Sequence, residues 1–427
     1  MKTELIEKEK IEQWEIDIIR DMAKKQMEIA NSEEMAAKEK LWYAHNACET
    51  FEPVITLERW TFNKEFAGLF KPKCASGLAR RLETYFHNNM VQYEYISDDT
   101  VMPKEYTVNI GTWLKAFDID VVNEQRIGET YAFKIKYEIN DLEAEFGKLQ
   151  KSPFGCNYAQ AAEHKANAEE IIGDIMPVRL AFTPSCNLSR YIYNIMGLET
   201  MMLAMYDCPG LFHKMMAQIS DEFVALWDYM EASNYIRPNN FNVNIPHGTW
   251  GFSTELPKNP EKTKKTEGTG SFTMNDVWGH MNSQETSEIS PAMFNEFFFP
   301  YYKKIGERFG LLTYACCESV SGIWEDSISK FDNLRKLSVS PWCDEEKTGD
   351  YLRGKKIIYH RKPAPNYLAV DPVFDKPAFQ EHIRKTLSAA KGCYLEFSYR
   401  DVYSLQGDKY RAKRAYDTVR ECIEKYW

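Results

Sequence analysis

Apolar residues recur at helical spacing from the start of the chain. Leu5, Ile6, Ile11, Trp14, Ile18, Ile19 and Met22 stand among charges and predict a helix over 5–30. Asn31 with Glu34 three residues on reads as a capping box that opens a second helix through about Ala47. Pro53-Val54-Ile55-Thr56-Leu57 is the first convincing strand, so 1–50 reads as a helical extension ahead of a main domain over 51–427. Helices fit 76–90 and 197–234, the latter interrupted at Pro209-Gly210, and strands fit Tyr93–Ile96 and 177–182. Residues 254–270 are polar, charged and rich in glycine and proline, which predicts a long loop of the kind that covers sites.

From residue 240 the pattern changes to an alternation. Apolar runs at 241–245, 311–316, 334–340, 356–360 and 393–398 are followed at several points by helical patterns, at 320–331, 376–390 and 408–426. Ser290-Pro291 is a good helix start, a cap residue with proline at the first helical position, and the helix then runs to Gly310. Strand and helix repeating at this spacing predict a parallel sheet. Its persistence to the end of the chain favours an α/β fold of the closed (β/α)8 TIM barrel type over an open sheet. There is no glycine-rich phosphate loop to support a dinucleotide-binding fold.

Charge and cysteine usage narrow the function. The 427 residues carry 53 Lys and Arg against 63 Asp and Glu, a formal charge of −10, which argues against non-specific binding to nucleic acid or anionic membrane. No apolar run approaches the ~20 residues of a membrane span, and the chain opens on a charged segment without a signal-peptide core. Ten cysteines without tight regular spacing read as reduced thiols, and the expected compartment is the cytoplasm. The high aromatic fraction, 14%, suggests planar surfaces inside clefts as well as in the core.

The densest chemistry lies at Gly310-Leu311-Leu312-Thr313-Tyr314-Ala315-Cys316-Cys317-Glu318, an apolar strand that ends in two thiols and a carboxylate. In α/β proteins the carboxyl ends of strands are where sites are built. Strand alternation puts Tyr314, Cys316 and Glu318 on one side and Cys317 on the other, with Cys317 as a reserve ligand. Cys393 opens another apolar run and is the distant thiol that a barrel would bring to Cys316. The segment 275–286 reads as a βα loop at the mouth. It offers Asp276, His280 and Glu285 as acid, base or ligand groups, Gln284 as a hydrogen-bonding group and Trp278 as a pocket wall. His247 in Pro246-His247-Gly248 could reach a mouth site but is by default a turn residue, His360 has no assigned role, and Asp98-Asp99 reads as a helix cap or loop.

At these residues the chain resembles the uroporphyrinogen decarboxylase superfamily, and within it the corrinoid-dependent methyltransferases. The resemblance is best at Asp276-Val277-Trp278-Gly279, Ser290-Pro291-Ala292-Met293-Phe294 and Phe299-Pro300-Tyr301-Tyr302. It continues through 311–318, Ser338–Asp344 and Arg361-Lys362-Pro363. It implies a (β/α)8 barrel with its cleft at the carboxyl ends of the strands. It also implies a zinc ion held by a His-x-Cys motif and a later Cys, and a corrinoid (cobalamin) carried by a partner protein. Tyr314-Ala315-Cys316 stands where His-x-Cys would, and Cys393 where the later Cys would. Tyrosine departs from the pattern, so Glu318, His280 or Glu285 has to replace the histidine ligand; Cys316, Cys393 and Glu318 are the expected zinc set. By the resemblance the chain is a methyltransferase acting on a small methylated ether, thioether, amine or thiol, with Tyr314, Asp276 and Glu285 in catalysis and Trp278, Gln284 and His280 on substrate. The arginine-rich motif of the decarboxylases is absent. Two other readings stay open: a metal-independent decarboxylase or lyase using Asp276 and Tyr314, and a non-catalytic small-molecule-binding protein.

Overall fold

The computed structural model describes residues 11–126, 133–258 and 271–427. Seven strands form one sheet: β1 (Val54–Leu57), β4 (Ser185–Cys186), β5 (Trp278–Met281), β6 (Leu311–Tyr314), β7 (Leu334–Val339), β8 (Ile358–Arg361) and β9 (Tyr394–Tyr399). Their order is β1-β9-β8-β7-β6-β5-β4, and every pair is parallel. Two further strands, β2 (Tyr106–Asn109) and β3 (Val178–Ala181), make a parallel pair, with β3 just ahead of β4 in the chain. The fold is therefore α/β around a large parallel sheet.

Strands β5 to β9 are buried along almost their whole length, as parallel strands covered on both faces must be. Their two faces differ sharply. Leu312, Tyr314, Leu337, Val339, Tyr359, Leu395 and Phe397 belong to the main apolar core. The alternate positions, His280, Thr313, Lys336, Ser338, His360, Glu396 and Ser398, are polar and equally buried. A period of two thus separates an apolar side from a polar interior. Lys336 Nζ sits 2.6 Å from Glu396 Oε2 there, with His45 and His360 beside the same carboxylate at 3.4 and 3.6 Å. Burial alone would disfavour these charges; pairing is what makes them tolerable.

The free edge of β1 is closed by side chains. Asp98 accepts from Leu57 N at 2.7 Å and Asp99 from Ile55 N at 2.7 Å, and Asp99 N donates back to Ile55 O. The acidic pair therefore substitutes for a neighbouring strand, a more specific task than a cap or loop role.

Helix α1 (Gln13–Ala30) and α2 (Glu33–Asn46) form the amino-terminal extension. The cap of α2 is Ser32, accepting from Met35 N, rather than Asn31. The end of α2 enters the polar interior: Trp42 Nε1 donates to Asp99 O, and Asn46 Nδ2 donates to the carbonyls of Trp250 and Phe252. Helix α3 (Gly77–Val91) falls where expected, but Tyr93–Ile96 continues it as a wide turn instead of a strand, ending at left-handed Ser97. The 197–234 pattern resolves into helices Leu188–Asp207 and Pro209–Ala232. Ser290 caps the helix that Pro291 begins, but that helix breaks at Phe298 and its continuation ends at Gly306. Residues 320–331 are turns with one short 3-10 segment, and 241–245 contributes only Asn244–Ile245 to a small antiparallel hairpin. Most of the expected 254–270 loop lies outside the described residues.

Candidate functional site

The strand β6 ends at Tyr314 because Ala315 adopts a left-handed backbone, φ 79°. That single residue reverses the alternation on which the sequence reading relied. Tyr314 stays on the apolar side, fully buried, its ring against Tyr302 and Phe331 and its hydroxyl 2.8 Å from Ser283 Oγ. Cys316 turns to the polar interior, and Cys317 turns with it: the two sulfurs are 3.4 Å apart. Glu318 folds back, its two carboxylate oxygens accepting from Ser283 N at 2.7 Å and Cys316 N at 2.8 Å. It braces the turn and is consumed in doing so.

Two other elements complete the cluster. The hairpin of Asn244–Ile245 and Thr249–Trp250 turns through His247 and Gly248, φ 71° and 87°. Gly248 O accepts from Thr56 Oγ1 and from Ser398 Oγ, each at 3.0 Å, which docks the turn on β1 and β9. A Cβ on Gly248 would lie 2.1 Å from Ser398 Oγ, so glycine is required. His247 is thereby placed with its ring 4.3 Å from that of His280 and its Nδ1 3.4 Å from Cys316 Sγ. At the end of β9, Arg400 is held by Glu58, Nε to Oε2 at 2.9 Å, and its Nη1 donates to both Cys316 Sγ, at 3.2 Å, and His247 Nδ1. Because Arg400 only donates, His247 Nδ1 accepts and Nε2 carries the proton. Lys362 Nζ, also buried, donates to Cys316 O at 3.3 Å.

The electrostatic result is a reactive thiol. The hydrogen bond from Cys317, opposed by burial and assisted by the Lys362 and Arg400 charges, lowers the Cys316 thiol to about 7. The same bond, with burial, pushes Cys317 above the ordinary thiol range. Burial and the neighbouring Lys362 and Arg400 charges keep His247 neutral, and burial does the same for His280. Beside the cluster opens a cleft of about 460 Å³ lined by Glu58, Arg59, Trp60, Gln92, His247 and Arg400. Of the cluster, His247 and Arg400 line this cleft and Cys316 is buried behind them; a polarised thiol in contact with the wall of a cavity of small-molecule size is an arrangement for nucleophilic chemistry. Three left-handed non-glycine residues crowd this corner, Ala315, His247 and Asp401, which is where strained backbone is expected at a working site.

Several expected site residues lie elsewhere. Cys393 precedes β9, and its thiol donates to Gly349 O. The register runs Tyr314 to Leu337 to Tyr359 to Leu395, which puts Cys316 level with Phe397. Cys393 is then roughly 13 Å toward the opposite end of the sheet at about 3.3 Å per residue. The set Cys316, Cys393 and Glu318 does not converge. Among the described residues no group of three His, Cys, Asp or Glu side chains is arranged to hold a metal ion. Cys316 and His247 are close enough to share one, but Arg400 sits against both.

Asp276 accepts from the backbone and hydroxyl of Thr273, before β5 begins and so at the far end of the sheet. Trp278 is fully buried, its Nε1 donating to Thr313 Oγ1 at 2.8 Å. The expected mouth loop is in fact split by β5, with 275–277 at one end and 282–286 at the other. Glu285 accepts from Ser189 Oγ at 2.7 Å and ties the loop to a helix start, and Gln284 is exposed. Of this segment His280 reaches the cluster, and Asn282, which was not singled out, lies with its Nδ2 3.4 Å from His247 Nε2. Arg400 and Lys362 were missed, and His247 was weighed as a mouth residue but set aside as a turn residue. The signal for His247 was the Pro-His-Gly turn; Arg400 and Lys362 were marked only by lying just past an apolar run.

Comparison with known proteins adds little. No protein-family model matches, and no curated protein matches. Among solved structures, a methyltransferase from Methanosarcina mazei aligns with 91% of this chain and 98% of its own, at 11% identity and a TM-score of 0.48. That likeness is too low to carry an inference about activity. Among the described residues no helix is long and apolar enough to cross a membrane.

Proposed function

We propose that the chain is a methyltransferase that moves a methyl group from a small methylated compound to a corrinoid carried by another protein. The site would be the mouth of a (β/α)8 barrel of which the parallel sheet is the larger part. The sequence resemblance supplies the reaction class. The observation that carries the chemistry is Cys316, a thiol lowered to about 7, meeting Arg400 and His247 beside the cleft.

A methyl displacement needs a soft nucleophile in line with the methyl carbon and somewhere for negative charge to go on the departing heteroatom. The Cys316 thiolate is the nucleophile: its S–CH3 bond forms as the donor's heteroatom–CH3 bond breaks. The electron pair leaves on the heteroatom, where the guanidinium of Arg400, which lines the cleft, meets it. A reduced corrinoid presented at the cleft would supply the acceptor for that methyl and leave Cys316 as a thiolate again. The cleft suits a small donor but not a macrocycle, in keeping with a corrinoid presented from outside. The zinc implied by the resemblance is given no step, because its expected ligands do not meet. The lyase reading loses its two proposed groups, Asp276 and Tyr314, to structural roles.

The test is incubation with methyl ethers, thioethers, amines and thiols, first without corrinoid and then with reduced corrinoid. The expected results are a methyl adduct on the Cys316 peptide and the spectral change of methyl-corrinoid formation. Absence of both across the panel refutes the proposal.

A further inference from the structure

We propose that Cys316 and Cys317 form a two-electron redox pair, a modification site at which hydrogen peroxide closes a disulfide between adjacent residues and dithiothreitol reopens it. This inference does not depend on the methyl-transfer reading. It rests on the left-handed turn at Ala315, which brings both sulfurs to one side with 3.4 Å between them. A covalent S–S bond is about 2.05 Å, so the sulfurs have to close by only about 1.4 Å. Cys317 is partly exposed, which gives an oxidant access, whereas six of the other eight cysteines are buried.

The neighbours suit each half of the step. Arg400 Nη1 donates to Cys316 Sγ and favours its thiolate, while the Cys317 thiol lies 3.9 Å from Asp401 Oδ2, an acceptor for its proton. Peroxide oxidises Cys316: the thiolate attacks one oxygen, the O–O bond breaks, and a sulfenic acid and hydroxide result. Cys317 then attacks the sulfenic sulfur, the S–O bond breaks, and water leaves as the S–S bond forms. The balance is two thiols and one peroxide giving one disulfide and two waters. Adjacent Cα atoms are only ~3.8 Å apart, shorter than the usual span of a disulfide, so the ring is strained and easily reduced.

The test treats the full chain with hydrogen peroxide, blocks remaining thiols with iodoacetamide, and reads the peptide holding both residues by mass spectrometry. The expected result is loss of two hydrogens from that peptide, neither sulfur alkylated, with both alkylation sites recovered after dithiothreitol. In Cys317→Ser the sulfenic acid has no resolving thiol, and a dimedone adduct on Cys316 is expected. A dimedone adduct or sulfinic acid on Cys316 in the wild type, with Cys317 still alkylated, would overturn the proposal. So would peroxide treatment that leaves both thiols free.

Discussion

Replacing Cys317 by alanine separates the causes of Cys316 acidity. Cys317 donates to the Cys316 sulfur across 3.4 Å and is the largest influence lowering that thiol to about 7, ahead of Lys362 and Arg400. A hydrogen bond to an ionised group is worth about 1.5–3 kcal/mol. At ~1.36 kcal/mol per unit, its loss raises the Cys316 pKa by roughly one to two units. At pH 7 the thiolate fraction then falls from about half to somewhere near 1–10%. The assay is the rate of iodoacetamide alkylation of the Cys316 peptide as a function of pH. A midpoint near 7 in the wild type should move to about 8–9 in Cys317→Ala and return most of the way in Cys317→Ser, which keeps a donor. A midpoint that stays near 7 in the alanine variant would refute the reasoning and leave Lys362 and Arg400 as the controlling groups.

Other consequences can be checked separately. Gly248→Ala places a methyl 2.1 Å from Ser398 Oγ at a φ of 87°, so a loss of about 1–3 kcal/mol in urea unfolding is expected, with slower Cys316 alkylation as His247 shifts. Lys336→Met strands the Glu396 carboxylate among buried groups and should cost about 3–5 kcal/mol, while Lys336→Met with Glu396→Leu should recover much of it. A single variant as stable as wild type would contradict the buried ion pair. His45, His247, His280 and His360 are all held below the ordinary histidine range, chiefly by burial, His360 at about 3. The unfolded chain takes up these protons first, so their stabilisation is whole above pH ~6.5 and is lost as pH falls, by up to about 1.4 kcal/mol per histidine per unit. Urea midpoints at pH 7.5 and 5.5 should show the lower pH clearly less stable; equal midpoints would contradict it.

The strands from residue 311 onward were legible because buried parallel strands leave long apolar runs between turns, whereas Trp278–Met281, short and flanked by polar residues, was read as part of a loop. Their polar interior was also written in the chain, as His280, Lys336, His360 and Glu396 at alternate positions, but it was not read because each interrupts a run only once. The thiol, Cys317 and His280 were found, and the cationic neighbours Arg400 and Lys362 were not. Strand alternation failed at Ala315, whose positive φ nothing in the residue type announces, and with it failed the placement of Tyr314 and Glu318. Cys393 looked like a partner because it adjoins an apolar run, but it stands at that run's beginning, and in a parallel sheet beginnings and ends lie on opposite sides. The residue that does reach Cys316 from this strand is Arg400, at the run's end. His247 arrives from a hairpin outside the sheet, an approach that no local pattern specifies.

The most direct test pairs the two cysteines that the structure separates. Methyl transfer to reduced corrinoid, followed spectrally with an active donor, should fall at least ~100-fold in Cys316→Ala, as for loss of a nucleophile, and stay within about twofold of wild type in Cys393→Ala. Full activity in Cys316→Ala, or equal loss in both, would contradict a site built on Cys316, His247 and Arg400.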